Sequence, residues 1–194
     1  MAALCAAATA LTASAQTASV QAAQSARLAA CGACHGVNGQ SQLAQLPSLA
    51  GQPRLFIENQ LVLIREGLRE VPAMQALMAG VSDEEIVQLA THFSGQAAGR
   101  TVEKTDPVLA RAGALLAKPN LCGTCHLPDY RGQQQVPRLA GQRLDYLLLS
   151  MQQFRDRPGP GRDTIMAATL RGMSDADLTQ LGHHPASQPP QQVR

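Results

Sequence analysis

The string CGACH at Cys31–His35 returns as CGTCH at Cys122–His126, and the chain around it returns as well. A shared period near 91 residues constrains the fold more than any local propensity does, because one supersecondary unit must satisfy both copies. Each CxxCH is followed by a polar, glycine-bearing loop and then by PSLAGQ (Pro47–Gln52) or PRLAGQ (Pro137–Gln142). An apolar helix is expected next, over Pro53–Glu66 with Phe56, Leu61 and Ile64, and over Arg143–Phe154 with Tyr146, Met151 and Phe154. A loop bearing a methionine follows, and a serine-aspartate pair, Ser82-Asp83 or Ser174-Asp175, opens a last helix. The pattern is that of a tandem duplication of one domain.

The last helix is best marked in the first copy. Ser82 with Glu85 three residues on forms a capping box. Ile86, Leu89, Ala90 and Phe93 then fall on one helical face. The second copy keeps Ser174, Leu178 and Leu181 but continues Gly-His-His-Pro, with Pro185 where Phe93 stands. That predicts a truncated helix, followed by a polar, proline-rich and disordered tail. No stretch shows sustained period-2 alternation of β-branched residues, so the expected class is all-α. The expected division is a leader over 1–19, a first module over 20–97, a linker over 98–107, a second module over 108–185 and a tail over 186–194.

Two thiols one helical turn apart, with an imidazole directly after them, form the local signature of covalent c-type haem attachment. Cys31 and Cys34, and Cys122 and Cys125, would add to the vinyl groups of a haem, and His35 or His126 would reach its iron from the same side. The rival is a zinc site of four cysteines. Structural zinc ribbons separate their CxxC pairs by about 15–20 residues; here 87 residues lie between Cys34 and Cys122. Composition favours haem too. Aromatics are only 3% of the chain, and small modules with so few large side chains bury too little surface unaided. A covalent haem in each would supply the missing core.

The proximal ring needs an acceptor on its other nitrogen to fix tautomer and orientation. Pro47 lies 12 residues after His35 and Pro137 lies 11 after His126; the carbonyl of each can accept from Nδ1, with Leu49 and Leu139 turned to the haem face. A sixth ligand decides whether the iron is closed for electron transfer or open for gas binding or catalysis. Counting back from the two Ser-Asp pairs puts Met74 and Met166 in register, each eight residues before its serine. Met78 aligns with Leu170 and Met173 with Val81, so these competitors fail the register test. His92, His183 and His184 are expected to be surface histidines.

A formal net charge of +2 gives no argument for nucleic acid. The halves differ, however. Up to residue 99 there are four arginines against six acids; beyond it ten arginines and two lysines face eight acids. Such asymmetry can steer a partner. The Ala-rich start, with Ala13-Ser14-Ala15 before Gln16, resembles a degraded secretory signal without its positive end. Cys5 within it is expected to be incidental; a lipid-anchored cysteine is disfavoured by Leu4 directly before it. No segment approaches the roughly 18 consecutive apolar residues of a membrane span.

With these motifs in place, residues 20–184 resemble the di-haem cytochrome c4 family, two class I cytochrome c domains in tandem. The resemblance rests on CGACHG, CGTCH, the P-x-L-A-G-Q strings, the aligned methionines and the Ser-Asp helix starts. It implies a periplasmic electron carrier, in some members peripherally membrane-associated, with two covalent haem c groups facing each other across a domain interface. Axial pairs would be His35/Met74 and His126/Met166. Implied partners are a terminal oxidase such as the cbb3 type, a quinol-oxidising complex or a dehydrogenase. The alternative is a cytochrome subunit of a dehydrogenase complex; a di-haem peroxidase fits poorly. Pro185 departs from the family pattern, since an aromatic there normally closes the module, and makes the second copy the less completely closed one.

Overall fold

The computed structural model describes residues 21–100 and 103–191. The expected leader, its cleavage signal and Cys5 lie outside these residues, as do 101–102 of the linker and 192–194 of the tail. The fold is all-α, as the missing strand periodicity implied. Among the described residues no strand forms, and an isolated bridge joins Gln133 to Val136. The first copy contains α1 over 21–35, α2 (Arg54–Arg65), α3 (Pro72–Met78) and α4 (Asp83–Ser94). The second contains α5 (Pro107–Ala117), α6 (Cys122–Cys125), α7 (Leu144–Asp156), α8 (Thr164–Leu170) and α9 (Asp175–Ser187).

Both last helices start by the same device. Ser82 Oγ accepts from Glu85 N–H at 3.2 Å while the Glu85 carboxylate accepts from Ser82 N–H at 2.9 Å. Ser174 and Asp177 repeat this at 3.1 and 2.9 Å, the shorter acid serving as well. The apolar faces then pack. Ile86, Leu89, Ala90 and Phe93 of α4 meet Ile57, Leu61 and Ile64 of α2 in one core, and Leu178 and Leu181 of α9 meet Ala117 and Leu170 in the other.

Several expectations are corrected. The methionine segments are helical, not loops: α3 has Pro72 at its first position, and α8 is capped by Asp163, which accepts from Met166 N–H at 2.8 Å. The helix leading into CxxCH is continuous in the first copy but broken in the second. Pro119 there cannot extend α5, and Leu121 turns through the left-handed region at φ 55°.

The expected truncation of α9 does not occur. The helix passes through Pro185 and ends at Ser187. A proline in the final turn forfeits only the one bond that its N–H would have donated to Leu181 C=O, and the helix ends two residues later. Its carbonyl is also used, accepting from Gly141 N–H at 3.0 Å and Gln188 N–H at 3.1 Å. Ala186 is buried, and the Pro190 ring lies so close to Gly141 that a Cβ there would be 3.1 Å from it. Residues 186–188 and Pro190 are therefore packed, where a disordered tail was expected.

The segment expected to be a linker also carries structure. The Glu103 carboxylate accepts from Leu144 and Asp145 N–H at 2.6 and 3.1 Å, capping α7. Asp106 caps α5 through Val108 and Leu109, and its own N–H donates to His183 Nδ1 at 3.0 Å. His183 is thus buried rather than on the surface.

The two copies meet along a polar seam with pseudo-two-fold pairing. The Gln52 side chain accepts from Arg138 N–H at 2.9 Å and donates to Arg138 C=O at 3.0 Å. Gln142 does the same to Ser48, at 2.8 and 2.9 Å. Each LAGQ glutamine thereby satisfies both backbone groups of the residue after the other copy's proline. The seam is reinforced at Gly161 (φ 75°), where a Cβ would fall 2.3 Å from Leu68 O.

Candidate haem sites

His35 ends α1 and His126 follows α6; both are buried, at 6% and 8% exposure. His35 Nδ1 donates to Pro47 C=O at 2.9 Å, and His126 Nδ1 donates to Pro137 C=O at the same distance. Burial pushes both imidazoles below their usual pKa, partly offset by these bonds and, at His126, by the nearby Asp163 carboxylate. A neutral ring with its proton held on Nδ1 leaves the Nε2 lone pair for a metal.

In each copy the first thiol is half-buried and the second exposed. Burial raises the pKa of Cys31 and Cys122. The two thiol pairs lie in separate copies. Among the described residues no three His, Cys, Asp or Glu side chains gather as a metal cluster would require, which is the arrangement the zinc alternative needs.

Met74 lies on α3, half-buried against the first core, and Met166 lies on α8 against the second. Met78 is instead sealed inside the first core at 3% exposure. Met151 and Met173 border the second core. Leu49 packs against the first core, and Leu139 is half-buried with its N–H on Tyr130 C=O at 2.8 Å.

Two further arginines hold the methionine segments, and sequence reasoning passed over them. Arg65 Nη1 donates to Val81 C=O at 2.9 Å and pairs with Asp83 at 2.8 Å. Arg155 Nη1 donates to Met173 C=O at 3.0 Å and pairs with Asp175 at 2.8 Å. Each ties the end of α2 or α7 to the far end of the segment that carries the candidate ligand. Their signal was present in the repeat, as IRE before SDEE and FRD before SDAD.

The two copies differ at the place where Pro185 stands for Phe93. In the first copy Gly39 (φ 74°) accepts from Leu49 and Ala50 N–H, and a Cβ on it would lie 2.9 Å from the Phe93 ring. In the second, Tyr130 (φ 54°) occupies that position, accepting from Leu139 and Ala140 N–H. Its ring is buried at 7% exposure and stands edge-on to His184, centroids 5.1 Å apart. The buried ring of this copy thus comes from the loop, at the position that is Gly39 in the first.

The donor set in each copy is one imidazole oriented by a carbonyl, one thioether in register and two thiols a turn apart, which is the chemistry a covalent haem c requires. Comparison with known proteins agrees. Cytochrome c4 of Azotobacter vinelandii is 30% identical over 158 residues, covering 71% of this chain and 74% of that protein. The chain belongs to the cytochrome c4 family. The crystal structure of reduced recombinant cytochrome c4 from Pseudomonas stutzeri matches with a TM-score of 0.78 at 29% identity, covering 86% of this chain and 97% of that one. The family model of cytochrome c oxidase, cbb3-type, subunit III matches residues 18–92. A thiosulfate dehydrogenase electron acceptor of Stutzerimonas stutzeri is 31% identical over 152 residues, covering 73% of this chain and 70% of its own length.

As a cytochrome c4, the chain is a c-type electron carrier with two covalently attached haem c groups. No helix among the described residues is long and apolar enough to cross a membrane.

Proposed function

We propose that this cytochrome c4 moves single electrons in the periplasm, from a dehydrogenase or quinol-oxidising complex to a terminal oxidase. Cys31/Cys34 and Cys122/Cys125 would attach the two haems, and His35 with Met74 and His126 with Met166 would hold their irons. The iron, when held there, supplies one-electron chemistry between Fe(II) and Fe(III). The chain's own part is to keep the imidazole neutral and oriented, to close the opposite face with a thioether, and to keep water out. The observation that carries this reading is the repeated buried histidine whose Nδ1 is tied to a proline carbonyl at 2.9 Å. The likeness to a thiosulfate dehydrogenase electron acceptor favours a second reading, in which the chain is the cytochrome partner of such a dehydrogenase; co-purification with a catalytic subunit separates the two.

Mass spectrometry and absorption of protein matured with its haem-attachment machinery test the site. A mass increment of two haems and an oxidised-state methionine–iron charge-transfer band are expected. Met74→Ala and Met166→Ala each remove about half of that band, and Met78→Ala leaves it intact. Loss of the band in Met78→Ala would overturn the ligand set.

A further inference from the structure

One buried cation at the seam is unexplained by haem attachment or axial ligation. Arg138 is 0% exposed. Its Nη2 donates to Ala50 C=O of the first copy at 2.9 Å, and its Nη1 donates to Ala140 C=O. Its Nε–H is buried without a hydrogen-bond partner, and among the described residues no carboxylate forms an ion pair with it. Burial lowers its pKa to about 10, so it stays charged at neutral pH. A buried charge without a counter-ion is costly. Yet Gln52 grips its backbone on both sides, and Ser48 serves at the matching position of the other copy with no charge at all.

The placement suggests what the charge is for. Arg138 directly follows Pro137, whose carbonyl orients His126. The carbonyl it bonds in the first copy, Ala50, lies three residues after Pro47, whose carbonyl orients His35. One guanidinium is therefore wedged between both proximal-histidine anchors. A free N–H on an unneutralised cation calls for an anionic oxygen, and a haem carries carboxylates at its edge. We propose that Arg138 is a tuning residue shared by both haems, pairing through its Nε–H with a haem carboxylate at the seam and holding both reduction potentials up.

The direction follows from charge. A ferric haem carries one more positive charge than a ferrous one, so a fixed cation nearby opposes oxidation. A unit charge at ~10 Å with an effective dielectric of ~20 changes an equilibrium constant by roughly tenfold. A matching serine in the first copy leaves Arg138 without a counterpart at that position, and the other buried guanidinium at the seam, Arg143, is already paired with Asp145 at 2.8 Å.

The proposal rests on the histidine ligation given above, and the two fail differently. Absence of the two-haem mass or of the methionine–iron band in the unsubstituted protein sinks the ligation; only the potentials of the variants bear on Arg138. The test is a spectroelectrochemical titration of the holoprotein. In Arg138→Gln the ratio of reduced to oxidised haem at a fixed ambient potential falls about tenfold at both centres, with haem content and the charge-transfer band unchanged. Arg138→Met, an apolar chain of similar length, gives the same shift and serves if the glutamine variant does not fold. Arg138→Lys restores most of the ratio. Gln52→Ala, which loosens the grip on the backbone but keeps the charge, moves neither centre more than about twofold. Unchanged potentials in both neutral variants, a shift confined to one haem, or an equal shift in Gln52→Ala would overturn the proposal.

Discussion

In the first copy the aromatic that closes the module descends from α4, as Phe93, onto a bare Gly39. In the second copy it rises from the loop after α6, as Tyr130, beside a helix that has Pro185 at the matching place. Both arrangements keep the same backbone bonds: Gly51 N–H to Phe93 C=O at 2.9 Å, and Gly141 N–H to Pro185 C=O at 3.0 Å. Duplication thus preserved the hydrogen-bond frame but not the source of the buried ring. The second copy accepts backbone strain for this. Tyr130 at φ 54° and Leu127 at φ 67° hold side chains where Gly39 and Gly36 have none, at a cost of about 1–3 kcal/mol each.

The largest expected effect breaks this exchange. Phe93→Ala and Tyr130→Ala should each cost about 3–5 kcal/mol in denaturant unfolding, by leaving a cavity the frame cannot collapse into. Rebuilding the second copy on the pattern of the first, Tyr130→Gly with Pro185→Phe, should recover more than half of what Tyr130→Gly alone loses. If the two losses simply add, the rings are not equivalents.

The next effect separates the copies. Gln142→Ala strands both backbone groups of Ser48 and Gln52→Ala strands those of Arg138, which should cost about 1–3 kcal/mol each. Calorimetry should then show a broadened or split transition in place of a single one, since the seam couples the modules. An unchanged single peak in the double variant would mean that contacts such as Gly161 against Leu68 suffice.

The smallest effect is confined to one copy. Arg27 reaches Glu85 at 2.6 Å, lashing α1 to the start of α4, whereas the matching position in the second copy is Lys118. The Glu85 carboxyl is held below its usual pKa, first by Ser82 N–H and then by Arg27. A pKa depressed on folding contributes stability above the ordinary carboxylate range that is lost as pH falls through the folded value. Arg27→Ala should cost less than about 1 kcal/mol at neutral pH. It should also move the acid transition of the first copy to higher pH, leaving that of the second in place. Equal shifts in both, followed by circular dichroism, would show that the strap is not specific to its copy.

Much of the helical frame was legible because its signals are local. Ser82 with Glu85, the apolar stripe to Phe93 and the LAGQ strings each lie within a turn or two of what they specify. Where local rules misled, a distant partner had intervened. Pro185 promised a helix stop, but Gly141 uses its carbonyl, and the buried ring of that copy comes from Tyr130. His183 looked like a surface residue, but the N–H of Asp106 finds it. The methionine segments looked like loops because seven residues carry too little periodicity to declare a helix.

By itself, the sequence determined that one unit is used twice, that it is helical, and that each copy holds a CxxCH with a proline carbonyl and a methionine in step. These are matters of spacing along the chain, and covalent geometry makes spacing binding. Only the tertiary structure decided which ring closes each module, that a charge with no counterpart in the first copy lies buried at the seam, and that each glutamine serves the other copy's backbone. Those bonds join residues 86 and 94 positions apart. Burial and hydrogen-bond pairing at that separation depend on how two folded surfaces meet, and no local pattern encodes it.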